Sequence, residues 1–127
     1  MPTHILLIED DPDINFLIET TLTSKGFHVV PLFQGNEVIS TIRRQPIDLI
    51  LLDLFLPSMS GRDILVQLKA DPHFSQIPVV IISARQDKRE LEEMLRLGAL
   101  DYIEKPFIPS ELAIRIRNII AQISPTS

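Results

Sequence analysis

Residues 47–61 read IDLILLDLFLPSMSG, and the way this stretch folds decides the architecture of the whole chain. Leu49–Leu52 is an unbroken apolar run, Asp53 stands at its far end, and Pro57 and Gly61 punctuate the loop that follows. A run without polar alternation suits a strand buried on both faces, as in a parallel sheet covered by helices. A carboxylate at the carboxyl end of such a strand lies at the mouth of the sheet, where open α/β folds bind ligands. The remaining residues matter according to whether they supply partners for Asp53.

Working outward, two more solid runs occur. ILLI at 5–8 completes a strand over His4–Ile8, and PVVII at 78–82 leads into Ser83. Phe27–Leu32 and Asp101–Glu104 are mixed in composition; the first contains Pro31 and the second leads into Lys105-Pro106, as suits sheet edges. Helical spacing fills the intervals. Pro12 and Asp13 open a first helix with Ile14, Leu17, Ile18 and Leu22 inward and Gly26 as its stop. Asn36–Arg44 is the second, with Val38, Ile39 and Ile42 inward, and Arg62–Ala70 the third, with Ile64, Leu65 and Leu68 on one face. Asp87–Leu97 is the fourth, with Leu91, Met94 and Leu95 inward and Gly98 as its cap. Pro109–Ile123 is the fifth; it buries Leu112, Ala113, Ile116, Ile119, Ile120 and Ile123 and exposes Ile114.

Strands alternating with helices specify an α/β, doubly wound fold with a parallel sheet covered on both faces. Three solid strands and two mixed ones match the flavodoxin-like order 2-1-3-4-5, whose edges are the second and fifth strands. The expected domain spans 1–123, followed by a polar tail, 124–127.

Composition narrows the function. With 45% hydrophobic and 23% charged residues the chain can form a core. A net charge of −5 argues against direct nucleic-acid binding through a basic surface. The absence of cysteine excludes disulfides, thiol nucleophiles and thiolate metal sites. The N-terminus has no signal-peptide pattern, and no apolar run approaches a membrane span, so a cytoplasmic domain with no membrane contact is expected.

In the 2-1-3-4-5 topology the residues that end strands one, three, four and five converge: Glu9 and Asp10, Asp53, Ser83, and Lys105. Two like charges about 4 Å apart repel by roughly 4 kcal/mol at an effective dielectric near 20, so such a cluster requires a cation, a shared proton or solvent. Oxygen-only ligands suit Mg²⁺, an ammonium serves as a point-charge phosphate partner, and a hydroxyl can donate to a phosphoryl oxygen. The set points to Mg²⁺-assisted phosphoryl transfer.

From ILLIEDD through LLDLFLP-SMSG, VVIISA and DYIEKPF to the last helix, the chain resembles a receiver domain of a two-component response regulator, of the chemotaxis-regulator kind. The resemblance implies that Glu9 and Asp10 hold Mg²⁺ with Asp53 and the backbone carbonyl of Phe55. It implies that Asp53 accepts a phosphoryl group from a sensor histidine kinase or phosphotransfer protein. Lys105 matches the phosphate-binding lysine, Ser83 the switch hydroxyl and Tyr102 the aromatic switch residue. Phe55 and Arg85 occupy the positions that tune phosphate lifetime, and the Lys105–Pro106 bond is commonly cis in the family. The implied output is a changed surface on helix 4, strand 5 and helix 5 that acts on a downstream protein or a covalently linked output domain. Glu9 replaces the commoner aspartate, and Ser83 the commoner threonine. Asp101 and Arg115 match residues of the winged-helix DNA-binding branch, which would imply a homodimer through that same surface. Glu93 stands where that branch usually carries a basic residue.

Other readings are open to the same residues. A degenerate receiver would act as a phosphorylation-independent interaction module. A Mg²⁺-dependent aspartyl phosphatase would need a second aspartate at position 55, which is Phe55. Gly26, Gly35, Gly61 and Gly98 form neither a dinucleotide fingerprint nor a P-loop. Asp11 and Asp13 read as acids of a first helical turn. His4, His28 and His73 are scattered over a strand start, an edge strand and a loop, and read as surface or core residues rather than ligands. No output domain follows the fifth helix within these residues, so the expectation is either a stand-alone receiver that acts by docking or part of a longer protein.

Overall fold

In the computed structural model, which describes residues 3–57, 59–84 and 88–123, the strands form one parallel sheet. The strands are β1 (His4–Ile8), β2 (His28–Leu32), β3 (Leu49–Asp53), β4 (Val79–Ala84) and β5 (Asp101–Lys105). Their order is β2-β1-β3-β4-β5, so the two mixed strands are the edges and the three solid ones are interior. The helices are α1 (Pro12–Thr23), α2 (Val38–Arg44), α3 (Gly61–Ala70), α4 (Lys88–Arg96) and α5 (Pro109–Ile123).

The strand period of two sorts the apolar side chains into two cores. Leu6, Ile8, Ile50, Leu52, Val79 and Ile81 face the layer built by α2, α3 and α4, where they meet Val38, Ile64, Leu65, Leu68, Leu91 and Met94. Ile5, Leu7, Leu49, Leu51, Val80, Ile82 and Ile103 face α1 and α5, against Ile18, Leu22, Leu112, Ala113, Ile116 and Ile119. Most of these side chains are fully buried, each contributing about 1.5–3 kcal/mol relative to exposure.

Several local expectations change. Leu17 and Leu95 are 41% and 39% exposed rather than inward, because each lies one residue's rotation off its helix's buried stripe. Asn15 is buried in α1 instead. The second helix opens as a single 3-10 turn, Gly35–Glu37, before α2 begins. Asp11 is the cap of α1: its Oδ1 accepts from the Asp13 and Ile14 amides at 2.9 and 3.2 Å, and Pro12 follows it. Arg85, Asp87 and the tail 124–127 lie outside the described residues.

One glycine is required by close approach. A Cβ at Gly61 would strike the Asp53 carbonyl oxygen and come within 2.8 Å of Leu54 Cα, and the Gly61 amide donates to the Leu54 carbonyl at 2.9 Å. Helix α3 therefore starts pressed against the end of β3, with Ser60 as its cap.

Candidate functional site

The pleat explains which side chains meet. Counting by twos from the α1/α5 layer, Glu9, Asp53 and Lys105 project to one side of the sheet's carboxyl end, whereas Ser83 and Tyr102 project toward the α4 side. Glu9 is 1% exposed and Asp53 4% exposed, while Asp10 is open to solvent. The nearest carboxylate oxygens of Glu9, Asp10 and Asp53 all lie within 4.8 Å of one another.

Lys105 joins the two buried acids, with Nζ 2.5 Å from Glu9 Oε1 and 3.6 Å from Asp53 Oδ2. Glu9 Oε2 accepts the Asp11 amide at 3.0 Å, and Asp53 Oδ1 accepts the Phe55 amide at 3.3 Å. Burial pushes the Asp53 carboxyl up to about 7. The neighbouring Glu9 charge pushes the same way, while Lys105 and the Phe55 amide pull against both. Glu9 Oε1 is buried without a hydrogen-bond partner, since its contact with Lys105 is an ion pair lacking hydrogen-bond geometry. Three carboxylates facing one ammonium make a donor set fitted to a hard divalent cation.

The other expected residues take separate places. Ser83 is buried at the end of β4, and its hydroxyl donates to the Ala84 carbonyl at 3.1 Å. Tyr102 is half-buried, packed against the α2–α4 core, and its carbonyl accepts from Arg115 at 2.7 Å. Phe55 is 55% exposed beside the acids. The Lys105–Pro106 peptide is cis.

A family model described as the response regulator receiver domain matches residues 5–117. The chain belongs to the response regulator receiver domain family. This receiver domain is 37% identical over 117 residues to the DNA-binding response regulator MtrA of Mycolicibacterium smegmatis, covering 92% of the chain and 50% of that protein. It is also 37% identical over 116 residues to hybrid signal transduction histidine kinase D of Dictyostelium discoideum, covering 91% of the chain but 7% of that protein. Among solved structures, a CheY-like receiver domain protein from Methanospirillum hungatei superposes with a TM-score of 0.90 at 22% identity, over all of both chains, a likeness of fold. The receiver domain thus spans half or less of these two relatives' lengths.

One residue that shapes the receiver site is barely signalled by the sequence. Asn15 donates from Nδ2 to the carbonyls of Glu9 and Leu32 at 3.0 and 3.1 Å, tying the carboxyl ends of β1 and β2 together beneath the acidic pair. A buried asparagine requires such partners. Its only signal in the sequence is a polar residue beside Ile14 and Ile18, on the stripe that otherwise reads as core. Among the described residues no helix is long and apolar enough to cross a membrane.

Proposed function

We propose that this receiver domain is a phosphorylation-activated switch in which Asp53 takes a phosphoryl group from a sensor histidine kinase or phosphotransfer protein. The observation that carries the reading is the buried Asp53 carboxylate sharing Lys105 with Glu9 at the mouth of the sheet. An Asp53 oxygen attacks phosphorus, the phosphorus–nitrogen bond of the donor phosphohistidine breaks, and an acyl phosphate forms. Lys105 offsets charge on the arriving group. Glu9, Asp10, Asp53 and the Phe55 carbonyl are the groups that would hold Mg²⁺. When bound, that ion supplies neutralisation of the phosphoryl oxygens.

The acyl phosphate carries up to about two negative charges and draws the Ser83 hydroxyl toward it from its present Ala84 acceptor. Tyr102 follows into the space vacated, which shifts the surface of α4, β5 and α5 toward a partner-binding state. Moving such an equilibrium from about 1:99 to 99:1 requires roughly 5.5 kcal/mol of differential stabilisation. Phe55, beside the acids, and Arg85 limit access of water to the phosphate and lengthen its lifetime.

The output is a downstream protein or a linked domain, reached in the cytoplasm without membrane contact or direct nucleic-acid binding by this chain. The name of the MtrA relative supports a DNA-binding output. A homodimer through α4, β5 and α5 would have to displace the in-chain pair of Arg115 with Asp101 at 3.1 Å, or form around it. Glu93 is already held by Arg62 of α3 at 2.7 Å.

Incubation with Mg²⁺ and acetyl phosphate, read by intact mass, tests the reading. One added phosphoryl group is expected, absent in Asp53→Asn and absent with chelator. No gain with any donor would replace this reading by the phosphorylation-independent interaction module.

A further inference from the structure

We propose that the opposite, amino-terminal end of the sheet carries a second cation site, for a divalent transition-metal ion such as Zn²⁺, built from His4, His28 and Asp48. His4 and His28 are facing partners in the parallel β1–β2 ladder, and their ring centroids stand 4.8 Å apart at a tilt of 54°. Two imidazoles that bind one Zn²⁺ at about 2.0–2.1 Å with a tetrahedral angle between them hold their centroids roughly 5 Å apart. The ladder therefore brings the two rings to about that separation.

Asp48 supplies the third donor from the other neighbour of β1. It lies just before β3, where its Oδ2 accepts the His4 amide at 2.8 Å and stands 3.7 Å from His4 Nδ1. That backbone bond fixes the carboxylate beside the ring without consuming its second oxygen. A set of two imidazoles and one carboxylate selects Zn²⁺, Ni²⁺ or Cu²⁺ over Mg²⁺, unlike the all-oxygen cluster at the other end.

The site is accessible: the His4 and Asp48 side chains are 25% and 53% exposed, and His28 is exposed at the start of the edge strand. Among the described residues only the Glu9–Asp10–Asp53 donors already lie within 4.8 Å of one another, so binding an ion here requires the exposed His28 ring to turn toward His4 and Asp48. A bound ion would cross-link the starts of β2 and β1 to the entry of β3 and stabilise the fold by mass action. His73, with Asp71 Oδ1 3.3 Å from its Nδ1, has one carboxylate and no second imidazole beside it, and serves as an internal control.

Zn²⁺ titrated by calorimetry into the intact chain, with Mg²⁺ in excess to saturate the acidic cluster, tests the proposal. One ion per chain is expected. Affinity should fall in His28→Gln and in His4→Gln by at least the ~10-fold that losing a mere supporting partner of a metal ligand costs. His73→Gln should bind as the wild type does. Equal affinity in His28→Gln, or no saturable binding by wild type, overturns the proposal. A readout that needs no variant is nuclear magnetic resonance of wild type with substoichiometric Ni²⁺. His4 and His28 imidazole signals should broaden before those of His73, and uniform broadening of all three overturns the site.

Discussion

The two ends of this sheet are made by the same strands and carry opposite chemistry. At the carboxyl ends, Glu9 and Asp53 are buried and share one lysine. At the amino ends, His4, His28 and Asp48 meet water directly. A parallel sheet makes such a difference possible because every strand points the same way, so each pole gathers one kind of strand terminus. Depth then separates them. The buried pole must pair or protonate its charges, whereas the exposed pole needs no such compensation.

The contrast breaks hardest at Asp53. Asp53→Asn is expected to abolish phosphoryl uptake by intact mass and to leave Zn²⁺ binding at the histidine pair unchanged by calorimetry. Loss of both would show that the poles are not independent. Next in size is Lys105→Met, which leaves the buried Glu9 carboxylate without its cation and pushes the Asp53 carboxyl further up. Removing one partner of a buried pair costs roughly 3 kcal/mol, measured here by urea unfolding near neutral pH. A loss below about 1 kcal/mol would place the cluster among exposed pairs.

Gly61→Ala probes the packing that seats the carboxyl pole. The added methyl meets the end of β3, and overpacking of this kind costs about 1–3 kcal/mol. The urea midpoint should fall, with slower phosphoryl uptake because the Asp53 backbone must move. An unchanged midpoint together with an unchanged rate would mean that α3 can back away freely.

The pH dependence that burial imposes on Asp53 tests the same pole by titration. Its carboxyl rises from 3.8 to about 7 in the fold, so the folded state holds the proton more tightly than the unfolded chain. Below about pH 4 both states are protonated and Asp53 carries no penalty. As pH rises through 7 the ionised group makes folding progressively less favourable. Asp53→Asn should therefore be more stable than wild type at neutral pH, with the margin closing toward pH 4. Urea midpoints across that range decide it, and a margin that widened toward acid would reverse the assigned sign.

Much of the fold was legible in the sequence because period and punctuation are local. The solid runs ending at Ile8, Asp53 and Ser83 are interior strands, and Pro31 together with the mixed run at Asp101 marks the edges. Leu17 and Leu95 read as inward in the sequence because helical spacing gives a stripe but not its width; only the packed sheet shows which flank stays open. Asn15 is not legible in the sequence because its role lies in two carbonyls, one from β1's end and one from β2's, that no linear pattern brings to it.

The sequence by itself determined which residue types end each strand, since a buried strand must be apolar until it reaches solvent or a site. It therefore placed Glu9, Asp10, Asp53, Ser83 and Lys105 at one pole. Only the tertiary structure decided how they divide. The pleat sends Lys105 to the two buried acids and leaves Ser83 and Tyr102 on the α4 side. It likewise decided that His4 and His28, far apart along the chain, stand ring to ring. Parallel register is set by the helical crossover between two strands, so no spacing within either strand could have revealed the pair.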